Sequence, residues 1–315
     1  MVTFLEDLAL VLEEEERVLV ESVMSENHNQ IQHFILTRFN LLLWNKDKEG
    51  GKVRTTKWLE HRFSLFEKYC LPSILSQTCQ DFEWIVLFDS MTPEKFMSKI
   101  AEYEKRCPQL KPVFVEPERG RFFADIFRDE IVKRLNENHN ENEKRVLTTY
   151  LDNDDALNVR FVEDLQRRVQ KLSDETFIYY DEGYQFYTND KYMMQINYPR
   201  NHFVSYIERG VPATIKSVFG FGGHYYVYTI KGAKIEHIKN LPMWCEVIHE
   251  KNMLNDAYFL WKAKMLRDGN RLMSEFAVDE SVEFGINTYV FGFLPRYIKT
   301  FARRAKWYLF GRKQR

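Results

Sequence analysis

Apolar and polar positions alternate in blocks along the first half of this chain. His33-Phe34-Ile35-Leu36 leads a mostly apolar run that reads as a buried strand from Gln32 to Thr37-Arg38. Asn45 to Lys52 is polar and holds Gly50-Gly51, a loop signal. Thr55 or Thr56 then offers a helix cap, and Leu59, Phe63, Phe66 and Cys70 recur at helical spacing. Pro72 interrupts that helix or begins a second one. Trp84 to Phe88 is a short run of β-formers closed by Asp89-Ser90. Pro93 to Arg106 predicts a helix, Pro112 to Val115 a third strand, Arg121 to Asn136 a helix and Val146 to Leu151 a fourth strand. Beyond these, Phe161, Leu165, Val169 and Leu172 share one helix face, Phe177 to Tyr187 reads as a strand, and Asp256 to Arg267 as a helix.

Strands that alternate with helices over about 120 residues predict an α/β fold, a mostly parallel central sheet flanked by helices. Such sheets bind ligands at the carboxyl ends of their strands. Thr37-Arg38, Asp89 and the acids after Leu151 should therefore line one edge. The pattern divides the chain into an acidic helical extension (1–28), a body (29–290) with a donor half to about 157 and an acceptor half from about 158, and a basic amphipathic tail (291–315).

Composition adds limits. The chain has 315 residues, 44% hydrophobic and 15% aromatic, enough for a packed core. A net charge of −1 argues against a nucleic-acid binder. Four cysteines, Cys70, Cys79, Cys107 and Cys245, lack zinc spacing and suit reduced thiols. Neither a secretory leader nor an apolar run of about 18 residues is visible. A cytoplasmic protein is expected, peripheral on the inner membrane face if the tail binds lipid. That tail interleaves Arg296, Lys299, Arg303, Arg304, Lys306, Arg312, Lys313 and Arg315 with aromatics. It suits an anionic membrane surface, a helix packed on the core, or a nucleic-acid tail.

The chemistry centres on Asp152-Asn153-Asp154-Asp155, which follows a predicted strand directly. Two carboxylates 4 Å apart repel by about 4 kcal/mol at an effective dielectric near 20. Water can spread that charge over a solvated turn, or a hard divalent cation, Mn²⁺ or Mg²⁺, can sit among the oxygens and bridge a diphosphate. Asp152 and Asp154 are the candidate ligands, and Asp152 also suits a ribose. His249 is a candidate third ligand, although a single histidine is more often structural. Thr37 and Arg38 could meet a base, ribose or phosphate, and Asp89 a base or ribose. A surface arginine and a helix cap are the plain alternatives. Arg119-Gly120-Arg121 suits phosphate contact or a solvated basic turn. Phe219 to His224 lacks the lysine of a phosphate loop and reads as a turn.

Leu71 to Thr78, followed by Asp81 to Ser90, resembles the first conserved block of nucleotide-sugar glycosyltransferases of the glycosyltransferase-A fold. His33 to Asn40, Leu151-Asp152-Asn153-Asp154-Asp155-Ala156 and Trp244 to Asn252 resemble a bacterial rhamnosyltransferase family. The resemblance implies a nucleotide-sugar site over the strand ends, a divalent cation on Asp152 and Asp154, and His249 as a third ligand. It leaves the catalytic base unplaced. Asp155, Glu182 and Glu208 are the catalytic candidates, with Asp181 a further acid in reach. The function expected is metal-dependent transfer of a sugar to a saccharide or lipid-linked acceptor in surface polysaccharide synthesis. Nucleotidyl transfer, or a non-catalytic carbohydrate-binding protein at the membrane, are the alternatives.

Overall fold

The computed structural model describes residues 31–43, 55–137, 144–249 and 263–310. The acidic extension, the Gly50-Gly51 loop and the first part of the helix expected from Asp256 lie outside them.

A seven-stranded sheet forms the centre. Its strands are β1 (Ile31–Arg38), β2 (Glu83–Asp89), β3 (Leu110–Val115), β4 (Arg145–Tyr150), β6 (Thr176–Tyr180), β9 (Ser205–Arg209) and β10 (Lys234–Ile238), in the order β10-β6-β9-β4-β1-β2-β3. β1, β2, β3 and β4 are mutually parallel, and β9 runs against β4 and β6. Alternation along β1 sends Ile31 and Ile35 to one apolar layer and Phe34 and Leu36 to the other. The first layer is closed by α1 (Thr56–Leu65), α2 (Leu71–Leu75), α3 (Glu94–Arg106) and α5 (Phe161–Val169); the second by α4 (Phe123–Glu137). Thr55 caps α1, its hydroxyl accepting from the Trp58 amide at 3.2 Å. The fold is thus mixed α/β, with a central, mostly parallel sheet between helices.

Chain order reverses between β1 and β4: β2 and β3 extend one way from β1, and β4 lies on the other side. That is the topological switch point, where the carboxyl ends of neighbouring strands leave a crevice.

A second sheet orders its strands β12-β8-β7-β11-β5, made of β5 (Ala156–Leu157), β7 (Glu182–Tyr187), β8 (Tyr192–Asn197), β11 (Trp244–Ile248) and β12 (Lys264–Met265). Two expectations change here. Phe177 to Tyr187 is two strands in two sheets. The Asp181 amide bonds the Ile238 carbonyl at 2.9 Å and its carbonyl accepts from Tyr198 at 2.6 Å, which carries the chain across. Both strands are largely buried, and only Asp181-Glu182 marks the break between them. Lys264-Met265 pairs with β8 rather than ending a helix. Gly183 is required in β7, since a Cβ there would lie 2.1 Å from the Trp244 ring.

Candidate active site

The acidic run closes a turn at the end of β4. The Asp155 amide reaches back to the Asp152 carbonyl at 3.4 Å, with Asn153 and Asp154 at the corner. Asn153 pins the turn to the end of β1, its amide donating to the carbonyls of Arg38 (2.9 Å) and Phe39 (2.8 Å). The turn therefore sits at the switch point, and it sorts its carboxylates onto two sides.

Asp152 and Asp155 lie on one side with His202. One ligand atom from each falls within 4.8 Å of the other two. His202 Nε2 is 2.8 Å from Asp155 Oδ2 and 4.0 Å from Asp152 Oδ2. The other Asp155 oxygen accepts from the Val247 amide at 2.8 Å. Burial works against a charged imidazole, but the hydrogen bond and charge of Asp155 raise His202 to about 9. Tyr150 donates to Asp152 Oδ1 at 2.5 Å and accepts from Arg38 at 2.5 Å. The Arg38 guanidinium lies 3.7 Å from Asp152 and over the rings of Phe123 (4.6 Å), Tyr150 (5.3 Å) and Phe219 (5.6 Å).

Asp154 points the other way. Its Oδ2 meets Arg62 at 2.6 Å and His249 Nε2 at 2.8 Å. Burial alone would raise this carboxyl, but the Arg62 charge and both hydrogen bonds hold it well below the usual range. The expected ligand set of Asp152, Asp154 and His249 is therefore not the one brought together. Asp154 and His249 pair with each other, and Asp152 converges with Asp155 and His202.

The remaining candidates divide. Asp89 is buried at the carboxyl end of β2, where its Oδ1 accepts from the Met91 amide at 2.8 Å. Arg119 and Arg121 are exposed in a 3-10 turn, Pro117–Phe122, beyond the carboxyl end of β3. Thr37 is fully buried and its hydroxyl accepts from the Trp84 indole at 2.9 Å. Glu208 sits opposite Val146, near the amino end of β4 and on the far edge from the acids. Its oxygens accept the amides of Lys216 (3.0 Å) and Ser217 (2.8 Å). Glu182 accepts from Asn197 at 3.3 Å, and Asp181 pairs with His237 at 2.6 Å.

Three site residues had no signal of their own in the sequence: His202, Tyr150 and Glu246. His202 is a single histidine in a loop, and Tyr150 looks like one more residue of a buried strand. Glu246 is buried in β11, accepts from Gln185 Nε2 at 2.6 Å, and interacts electrostatically with His202, Asp154 and Asp152.

Acids and a guanidinium gathered over the switch point of a mostly parallel sheet make this edge the candidate active site of the α/β fold. The family model described as "Putative rhamnosyl transferase" matches residues 32–252, and the chain belongs to that family. No curated protein matches it. Among solved structures it is similar to residues 1–349 of TarS from S. aureus, with 12% identity, a TM-score of 0.37, and coverage of 69% of this chain and 60% of that one. A longer TarS structure gives 13% identity, a TM-score of 0.37, and coverage of 69% and 37%. TarS 1–349 in complex with UDP gives 11%, 0.35, 69% and 60%. The chain thus spans 60% or less of each of these structures.

Proposed function

We propose that this chain is a metal-dependent glycosyltransferase and takes its sugar from a nucleotide-diphosphate donor bound at the switch point. The observation that carries the reading is the convergence of Asp152, Asp155 and His202 beside Arg38. The donor set fits a divalent ion: two carboxylates and an imidazole suit Mn²⁺, and Mg²⁺ with water and phosphate oxygens completing its shell. When bound, the ion would neutralise charge on the departing diphosphate. Arg38 holds Tyr150 against Asp152 and so orients that carboxylate. In this reading Asp89 meets a base or ribose, and Arg119 and Arg121 a phosphate, on the same edge.

The acceptor we propose is a saccharide or a lipid-linked saccharide met at the inner face of the cytoplasmic membrane. No helix among the described residues is long and apolar enough to cross a membrane. A peripheral contact is supported by the exposed apolar side chains that precede and enter the basic tail. Titration calorimetry with UDP, GDP and dTDP, with and without Mn²⁺, tests the donor site. One nucleotide should bind at least tenfold tighter with the metal. If none shows a metal-linked affinity, the reading is wrong. A donor-hydrolysis screen then identifies the sugar.

A further inference from the structure

We propose that Glu246 is the general base that takes the proton from the acceptor hydroxyl. This rests on the donor-site reading above and adds the group on the acceptor side. Asp181 is paired with His237, Glu208 is spent on backbone amides at the far edge, and Asp154 is held by Arg62 and His249. Glu246 alone combines proximity to the cluster with an uncommitted charge. Among the described residues no cation lies within ion-pair distance of it, and Gln185 is its hydrogen-bond donor.

Strand geometry places it. Successive β11 side chains alternate, with Cys245 and Val247 in the apolar layer of the second sheet and Trp244 on the opposite face, which is therefore the face of Glu246. Trp244 stacks on Phe203 at 4.9 Å, the residue after His202, and the next amide along, Val247, bonds Asp155. Glu246 thus borders the cluster on the side built by the second sheet. Its orientation is fixed by a relay: the Tyr187 hydroxyl donates to Gln185 Oε1 at 3.1 Å, and Gln185, opposite Glu246 in the strand register, donates to Glu246 Oε2 at 2.6 Å. The residue as a whole is 9% exposed. Burial, with the neighbouring acids, raises its proton affinity above the usual carboxyl range.

The step balances simply. The acceptor O–H proton passes to a Glu246 oxygen, and the acceptor oxygen forms a bond to the anomeric carbon. The bond from that carbon to the diphosphate oxygen breaks, and the diphosphate leaves with the electron pair. A single displacement inverts the anomeric configuration.

The test uses the full chain. Glu246→Gln keeps the size and the contact with Gln185, and should lower turnover of the UDP-, GDP- or dTDP-sugar found active by at least about 100-fold, the range for a lost general base. Nucleotide affinity in Mn²⁺ should stay within about threefold, a split that a misfolded site would not give. Glu246→Asp should recover part of the rate. Turnover within a few-fold of wild type in the glutamine variant overturns the proposal while leaving the donor site standing. Wild-type protein without metal-linked nucleotide binding overturns both. Proton NMR of the wild-type product is an arm that needs no variant: an inverted anomer supports Glu246, and a retained one overturns it.

Discussion

The two sides of the acidic turn differ more than their sequence does. Asp154 faces helix α1 and receives a permanent cation, Arg62, at 2.6 Å together with His249. Asp155 faces the second sheet and receives His202, whose charge depends on a proton. A guanidinium stays charged at any physiological pH, so Asp154 is neutralised for good. The pair Asp152–Asp155 is neutralised by exchangeable means, and a metal can take the place of the proton on His202. In the proposed reading, one turn carries a structural carboxylate and a metal-binding pair side by side.

The largest effect should separate the two sides. Asp155→Asn preserves the acceptor for the Val247 amide and removes one ligand charge. Turnover should fall at least about 100-fold and Mn²⁺-linked nucleotide binding should vanish, with the melting temperature little changed. Asp154→Asn should do the reverse. It strands a largely buried Arg62 and should cost about 3 kcal/mol, read by urea unfolding, while metal-linked binding survives. If the two variants exchange phenotypes, the assignment of the sides is reversed.

That outcome also measures what the sequence could show. Strand–helix alternation gave the central sheet and put the acids at its ligand-binding edge, because burial on both faces writes apolar runs that any reader can find. The motif located the turn but not the sides onto which its carboxylates fall. Asp-x-Asp suggests that Asp152 and Asp154 act together, and from it Asp154→Ala would be expected to abolish activity with the fold intact. In a turn closed from residue one to residue four, Asp152 and Asp155 are the neighbours instead. The partner His202 lies 47 residues on. It arrives only through tertiary packing, on the connection that leads into β9, so no local spacing could announce it. Glu246 was hidden likewise, as a polar residue within a buried strand.

A third histidine separates the effect of burial from that of a partner acid. His33 is more deeply buried than His202, and its hydrogen-bond partners are neutral, the Thr149 hydroxyl (2.9 Å) and the Gln166 amide (3.4 Å). Burial lowers it to about 3, whereas Asp155 lifts His202 to about 9. The sign follows from linkage. Below its ordinary pKa near 6.5 the unfolded chain protonates His33 and the folded chain resists. Its contribution to stability is whole above pH 6.5 and is lost as pH falls from there toward 3. His33→Gln should flatten that part of the acid-stability profile measured by chemical denaturation. An unchanged slope between pH 6.5 and 4 would show that burial at this site is not what it appears from the packing.

The smallest effect concerns the basic tail. Residues 284–315 contain eight cations and no acid, in a chain of net charge −1. One of those cations is already used: Arg296 bonds Asp190 at 2.5 Å and lies over Tyr187 at 4.9 Å, anchoring helix α6 (Leu294–Phe310) to the second sheet. Phe293 and Tyr297 stack at 5.7 Å on the anchored side, while Ile286 (77% exposed), Phe291 (75%) and Ile298 (58%) face outward. An apolar side chain entering lipid gains about 1.5–3 kcal/mol and a cation beside anionic headgroups about 1 kcal/mol. Phe291→Glu should therefore weaken co-sedimentation with phosphatidylglycerol vesicles about tenfold or more, and neutral phosphatidylcholine vesicles should bind less than anionic ones. Donor hydrolysis in solution should not change, because Phe291 touches neither side of the acidic turn. Equal binding of the variant and wild type would confine the membrane contact to the cations alone.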